Sequence, residues 1–223
     1  MLRERLDSLE DRIARAAARS RRRRQDITLV AVTKNLPAQA IEEAARLGVR
    51  HFGENYVQEF ETKRAALAGS TSSAGARFHL IGHLQANKAR KAVELFDVIQ
   101  TVDSARLAQR LDQAAAGPID VMLEVKLSPE ESKAGVSPED LPCLMEAVAG
   151  CPNLRLRGLM TMPPWSDQAE PSRPYFRRLR ALAEENGLAG LSMGMSHDFE
   201  TAIEEGATLI RIGTALFGPR RRA

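Results

Sequence analysis

The chain has 223 residues, of which 43% are apolar, 27% charged and only 4% aromatic; this balance excludes a disordered or collagen-like polymer and describes one soluble globular domain. Its length suits a single α/β unit, including a closed (β/α) barrel of about 250 residues, and leaves little room for a second domain. The net charge of +3 conceals nine Arg against four acids in residues 1 to 24, so the rest of the chain carries a net charge of −2, which argues against a protein basic throughout.

Leu2, Leu6, Leu9 and Ile13 recur at helical spacing and predict an amphipathic helix over 2–19, without the apolar core of a signal peptide. The arginine run Arg21 to Arg24 follows; lying outside the repeating pattern below, it is expected to be solvated and dispensable for ligand binding. A strand, ITLVAVTK, spans 27–34, and a helix over 37–47 opens on Pro37 and closes before Gly48, the usual asymmetry of helix ends. The short run VRHFG precedes a helix over 55–68, and the small polar stretch 68–75 reads as a loop. Strands then follow at 77–82, 97–102, 119–127, 155–162, 190–195 and 208–213, with helices between them at 85–95, 104–116, 138–149, 173–186 and 198–205.

Eight apolar strand runs alternating with helices are the pattern of a parallel sheet covered on both faces. The expected fold is α/β, a single (β/α)8 TIM barrel with an extra N-terminal helix, forming one domain over 1–223. A doubly wound open sheet is the competing architecture. It would usually carry a G-x-G-x-x-G turn after the first strand, where this chain reads TKNLP.

Cys143 and Cys151 lie eight residues apart with no partner at zinc-ligand spacing, so neither a metal site nor a disulfide framework is expected. No run approaches 18 consecutive apolar residues; no membrane span is expected and a cytoplasmic location is the default. Nucleic acid is not an expected partner, because no aromatics are interleaved with the arginines of the N-terminal segment or of the tail, Arg220 to Arg222.

In a barrel of this type the functional residues sit at the C-terminal ends of the strands. Those positions hold Lys34, Glu54 and Asn55, His79 and His83, Asp103 and Ser104, Lys126, Met160 and Thr161, the stretch Ser192 to Ser196, and Arg211 leading into Gly213 and Thr214. Lys34 ends an apolar run, which puts its amine at the barrel mouth, where desolvation favours the neutral, nucleophilic form needed for a Schiff base. The alternatives are a strand-end cap or a pair with Glu54.

The loops after the last two strands commonly bind phosphate, and here they read SMGMSHDFE and RIGTALFG. Ser196, Gly213 and Thr214 are the natural ligands; N-capping of the next helix by Ser196 is compatible with this. Arg211 lies on an apolar strand and must find a partner, either a ring nitrogen such as that of pyridoxal phosphate or a structural carboxylate. His79 reads as a neighbour of a flat ligand or as a satisfied core residue. Met160, Met162, Met193 and Met195 read as core filling.

The segments AVTKN, FGENYVQE, FHLIGHLQANK, TVDS, EESKAG, RGLMTMP, LSMGMSHDFETAIEEG and RIGTALFG occur in this order across residues 27 to 218, and the set resembles the YggS/PROSC family of pyridoxal phosphate homeostasis proteins. The resemblance implies the barrel of the alanine racemase N-terminal domain, holding pyridoxal 5′-phosphate (PLP) as an internal aldimine. It implies Lys34 as the aldimine lysine, Arg211 at the pyridine nitrogen and Ser196, Gly213 and Thr214 at the phosphate. It also implies Asn55 and His79 near the ring and Ser192 near the phosphate loop, with no catalytic residues. Lys126 stands where the family often has Asn, and His197 where a smaller or acidic residue is common.

The function so implied is PLP homeostasis by a monomer, with PLP and apo forms of PLP-dependent enzymes as partners. An amino-acid racemase is the alternative, disfavoured because few residues follow Gly218 to supply an opposing base and because Arg211 opposes protonation of the pyridine nitrogen. A cofactor-free Schiff-base aldolase would leave Arg211 and the phosphate loops unexplained.

Overall fold

The computed structural model describes residues 1–128 and 134–219; the basic tail and most of the EESKAG segment lie outside them. Its eight strands are β1 (Thr28–Val32), β2 (His51–Glu54), β3 (Arg77–Leu80), β4 (Val98–Val102), β5 (Ile119–Glu124), β6 (Leu154–Met160), β7 (Gly190–Ser192) and β8 (Leu209–Ile212). All pair in parallel with their sequence neighbours, and β1 pairs with β8, Val30 facing Arg211, so the sheet closes into a barrel. The barrel and not the open sheet is the architecture.

Helices α1 (Leu2–Arg19), α2 (Ala38–Arg46), α3 (Val57–Ala66), α4 (Ala89–Leu95), α5 (Ala105–Ala114), α6 (Leu141–Ala149), α7 (Arg173–Glu185), α8 (Phe199–Glu204) and α9 (Thr214–Phe217) cover the outside. Their apolar faces meet the outward faces of the strands. Phe52 and Phe78 on β2 and β3 lie with ring centroids 5.9 Å apart, and Phe60 of α3 bridges Phe78 to Phe96, each at 4.7 Å. Such aromatic contacts add to the transfer energy of burial.

The last βα unit has only the single turn α9, and α1 packs across α8 and α9 through Leu6, Leu9, Ile13, Ala16 and Ala17, all buried. Arg22 and Arg24, from the run expected to be solvated, fasten this helix in place together with Arg12 and Arg19 of α1 itself. Arg12 meets Glu200 at 2.9 Å and Arg19 meets Glu204 at 2.7 Å. Arg22 donates to the carbonyls of Ala207 (2.8 Å) and Ile203 (3.2 Å), and Arg24 donates to Glu10 at 2.8 Å. Arg21 and Arg23 are exposed as expected, and Arg23 makes with Asp26 the kind of open surface pair that contributes little.

At the N-terminal end of the barrel, Asp120 gathers Arg77 (2.8 Å), Arg155 (3.0 Å) and Arg157 (2.8 Å), which clasps β3, β5 and β6 together. Among the described residues, no helix is long and apolar enough to cross a membrane and no group of His, Cys, Asp and Glu is arranged to hold a metal ion.

Candidate functional site

Lys34 lies two residues beyond β1, half-buried, in the turn that leads into α2. Its neighbours on both sides are anchored. Thr33 Oγ1 donates to Glu54 Oε1 at 2.7 Å, and the Thr33 carbonyl accepts from Lys63 Nζ at 2.7 Å. Lys63 also meets Glu54 at 2.8 Å and Glu59 at 2.6 Å, and Glu59 accepts the backbone N–H of Asn35 at 2.6 Å. Asn35 has φ +59°, a left-handed conformation that asparagine tolerates. The carboxylate of Glu54, read from sequence as an alternative partner for Lys34, is thus engaged by Lys63 and Thr33.

On β8, the strand paired with β1, Arg211 is 4% exposed. Its guanidinium donates to Ser192 Oγ at 2.7 Å and to the Thr161 carbonyl at 2.8 Å, so its partners are a hydroxyl and a carbonyl and not a carboxylate. Burial pushes its pKa down to about 10, opposed by the nearby charges of Glu124 and Asp198.

The loops after β7 and β8 meet beside it. Ser196 Oγ accepts from the backbone N–H groups of Ala215 (3.1 Å) and Gly213 (3.3 Å). Ser196 therefore ties the two loops together and does not cap α8; Asp198 is the residue at the start of that helix, and its Oδ1 accepts the Met195 N–H at 2.7 Å. Gly194, with φ +92°, lets this loop lie against α8, since a Cβ there would fall 2.5 Å from Ala202 Cβ. Gly213 and the exposed Thr214 open on a cavity of about 240 Å3 shared with Val32, Asn35 and Leu36 from the Lys34 turn.

A second cavity, of about 530 Å3, occupies the other side of the mouth and is lined by His83, Glu124, Lys126, Ser128 and Met162. Met160 and Met193 are core residues, whereas Met162 belongs to this wall. Glu124 is 2% exposed and its Oε2 has no hydrogen-bond partner. Burial raises its pKa to about 7, with Arg211 opposing the rise and Asp103 adding to it.

Asn55 is half-buried at the end of β2, where Gly82 lets the neighbouring loop close on it; a Cβ at Gly82 would lie 2.3 Å from the Asn55 carbonyl. Two more residues expected at the cofactor, His79 and Ser192, are engaged within the barrel. His79 is 2% exposed with both ring nitrogens engaged, Nδ1 by Gln100 and Nε2 by His51, each at 2.9 Å. Its ring is thus satisfied by barrel residues, as the core reading of this histidine expects. Ser192 Oγ is likewise engaged by Arg211 and Gln100, so it supports the guanidinium. Tyr56 is 55% exposed and points outward. Gln100 and Glu124 are functional candidates that the sequence alone did not single out, although each is a buried polar residue in a mostly apolar strand.

The alanine racemase N-terminal domain model matches residues 5–221. The pyridoxal phosphate homeostasis protein of Pseudomonas aeruginosa is 46% identical over 227 residues, covering 96% of this chain and 97% of its own. That of Aquifex aeolicus is 41% identical and covers 98% of both chains. The solved structure of PipY from Synechococcus elongatus with PLP bound has a TM-score of 0.85 at 42% identity, covering 98% of this chain and 100% of PipY.

Proposed function

This chain belongs to the pyridoxal phosphate homeostasis proteins, within the alanine racemase N-terminal domain family, and we propose that it binds PLP at the barrel mouth and serves the cell's PLP balance without catalytic turnover. The observation that carries the reading is Arg211, a buried cation held by two neutral oxygens on β8, the strand adjacent to the one that leads into Lys34. Such a donor suits an acceptor ring nitrogen. PLP, when bound, supplies an aldehyde carbon that condenses with primary amines and a ring able to delocalise charge.

Lys34 supplies the amine for covalent attachment. Arg211, carrying only N–H donors, pairs with the ring nitrogen as an acceptor and opposes its protonation. Ser196, Thr214 and the backbone N–H of Gly213 hold the phosphate, and Asn55 flanks the ring. The meeting of the two loops, where the Gly213 and Ala215 N–H groups both turn towards Ser196 Oγ, supports this assignment. The same reading places the protein in the cytoplasm as a monomer that exchanges PLP with apo-enzymes.

Borohydride reduction of the PLP-loaded protein, followed by peptide mass spectrometry, tests the site: the adduct is expected on Lys34 and absent from Lys34→Ala. An adduct mapped to Lys126 or Lys133 overturns the assignment. Incubation with L-alanine in deuterated water tests the absence of turnover. Exchange or racemisation at about one per second or faster lies in the enzymatic range and would establish the racemase instead.

A further inference from the structure

We infer that Gln100 and His79 are positioning residues for Arg211, acting through a one-way run of four hydrogen bonds, Arg211 to Ser192 to Gln100 to His79 to His51, that threads the barrel interior. The residues come from β8, β7, β4, β3 and β2 in turn, so the run descends from the mouth to the N-terminal end, where His51 lines a cavity of about 450 Å3. Gln100 and Ser192 have no exposed surface.

The direction follows from the donors. Arginine only donates, so Ser192 Oγ accepts from Nη1 at 2.7 Å, and its own proton goes to Gln100 Oε1 at 2.6 Å. That fixes the amide: Gln100 Nε2 faces His79 Nδ1 at 2.9 Å and donates to it. His79 must then carry its proton on Nε2, which donates to His51 Nδ1 at 2.9 Å. With the amide turned over, Ser192 Oγ would receive two donors and its hydroxyl proton would lose Gln100 as its acceptor.

Both imidazoles are therefore neutral with assigned tautomers, and burial, reinforced by His51 and Arg77, holds the pKa of His79 down to about 3. Arg211 is the single charge on the run. A fully satisfied buried network is rigid, whereas one missing member leaves its neighbours unpaired. Without Gln100, the Ser192 hydroxyl could rotate away, and the Thr161 carbonyl would remain as the other fixed acceptor for the guanidinium.

The inference concerns Arg211 in the PLP reading above, but its first test needs no cofactor. Nitrogen-15 NMR of histidine-labelled, PLP-free protein at neutral pH is expected to show His79 protonated at Nε2 and bare at Nδ1. The opposite tautomer, or an imidazolium, overturns the inference whatever the protein binds. The second test compares PLP affinity and the visible absorption band of wild type, Gln100→Met and Ser192→Ala, with folding checked by circular dichroism. Loss of a hydrogen bond to a charged group corresponds to about a tenfold weaker affinity, with a shifted band and the adduct still on Lys34. Unchanged affinity and band in a folded Gln100→Met or Ser192→Ala overturn the positioning role. Failure of wild type to bind PLP refutes the function and leaves the tautomer result to be judged on its own.

Discussion

Glu124 ends β5 with its carboxyl walled in and one oxygen without a partner. A carboxyl whose folded pKa is raised to about 7 by burial binds its proton more readily in the folded chain than in the unfolded one, where the value is about 4.3. Folding stability contributed by this group is therefore complete below about pH 4 and is lost as the pH rises through about 7. The shift corresponds to roughly 4 kcal/mol at alkaline pH. Glu124→Gln, which keeps the shape and removes the titration, is expected to be more stable than wild type by about 1–3 kcal/mol near pH 8, with the gap closing towards about pH 4. Urea unfolding of the PLP-free protein at several pH values measures this directly. Curves that differ by a constant amount at every pH would show that the carboxyl does not titrate as its burial demands.

At the scale of the elements, the turn bearing Lys34 is placed by a buried cluster and not by its own sequence. Glu54 has no exposed surface, and Lys63 reaches it from α3 at 2.8 Å while also holding the Thr33 carbonyl. Lys63→Met leaves a buried carboxylate without its cation and is expected to cost about 3–5 kcal/mol, whereas the double variant with Glu54→Gln is expected to recover much of that loss. Thermal unfolding of the two single variants and the double variant gives the coupling; additive losses would mean that the pair is not a unit. The strands and helices themselves were legible in the sequence, because apolar periodicity reports which face is buried: β1, β5 and α1 lie within three residues of the expected bounds at each end. Lys34 and Arg211 were legible as strand-end polar residues. Gln100 and the Lys63–Glu54 pair were not, since Gln100 meets residues 21 and 92 positions away and Lys63 meets Glu54 across two elements, and Glu124 was not, since no local pattern announces how deeply a strand-end carboxyl is buried. His79 and Ser192 were legible as polar residues near the strand ends, but their shared partner Gln100 was not, because it depends on the register between strands far apart in sequence.

For the whole molecule, the weak point of the barrel is its last unit, where α9 is one turn long and cannot cover the sheet alone. α1 supplies the missing cover, and the same helices that it contacts, α8 and α9, begin where the loops of Ser196 and Gly213 end. Stability at one end of the sequence is thereby joined to ligand geometry at the other. Ile13 has no exposed surface, and Ile13→Ala is expected to cost about 3 kcal/mol through lost burial and a residual cavity. Arg22 donates to the carbonyls of Ile203 and Ala207 at the end of α8; losing these charge-assisted bonds in Arg22→Gln is expected to cost about 2 kcal/mol. Arg23→Gln removes only an open surface pair and is expected to cost less than about 0.5 kcal/mol. For a chain of this size each kcal/mol moves the melting temperature by about 2–4 °C. Melting curves with and without PLP separate two consequences, since a loosened α8 lowers the melting temperature and also reduces the gain on adding PLP. A melting temperature for Arg22→Gln equal to that of Arg23→Gln would mean that the arginine run is solvated after all and that the apolar face of α1 alone holds the barrel shut.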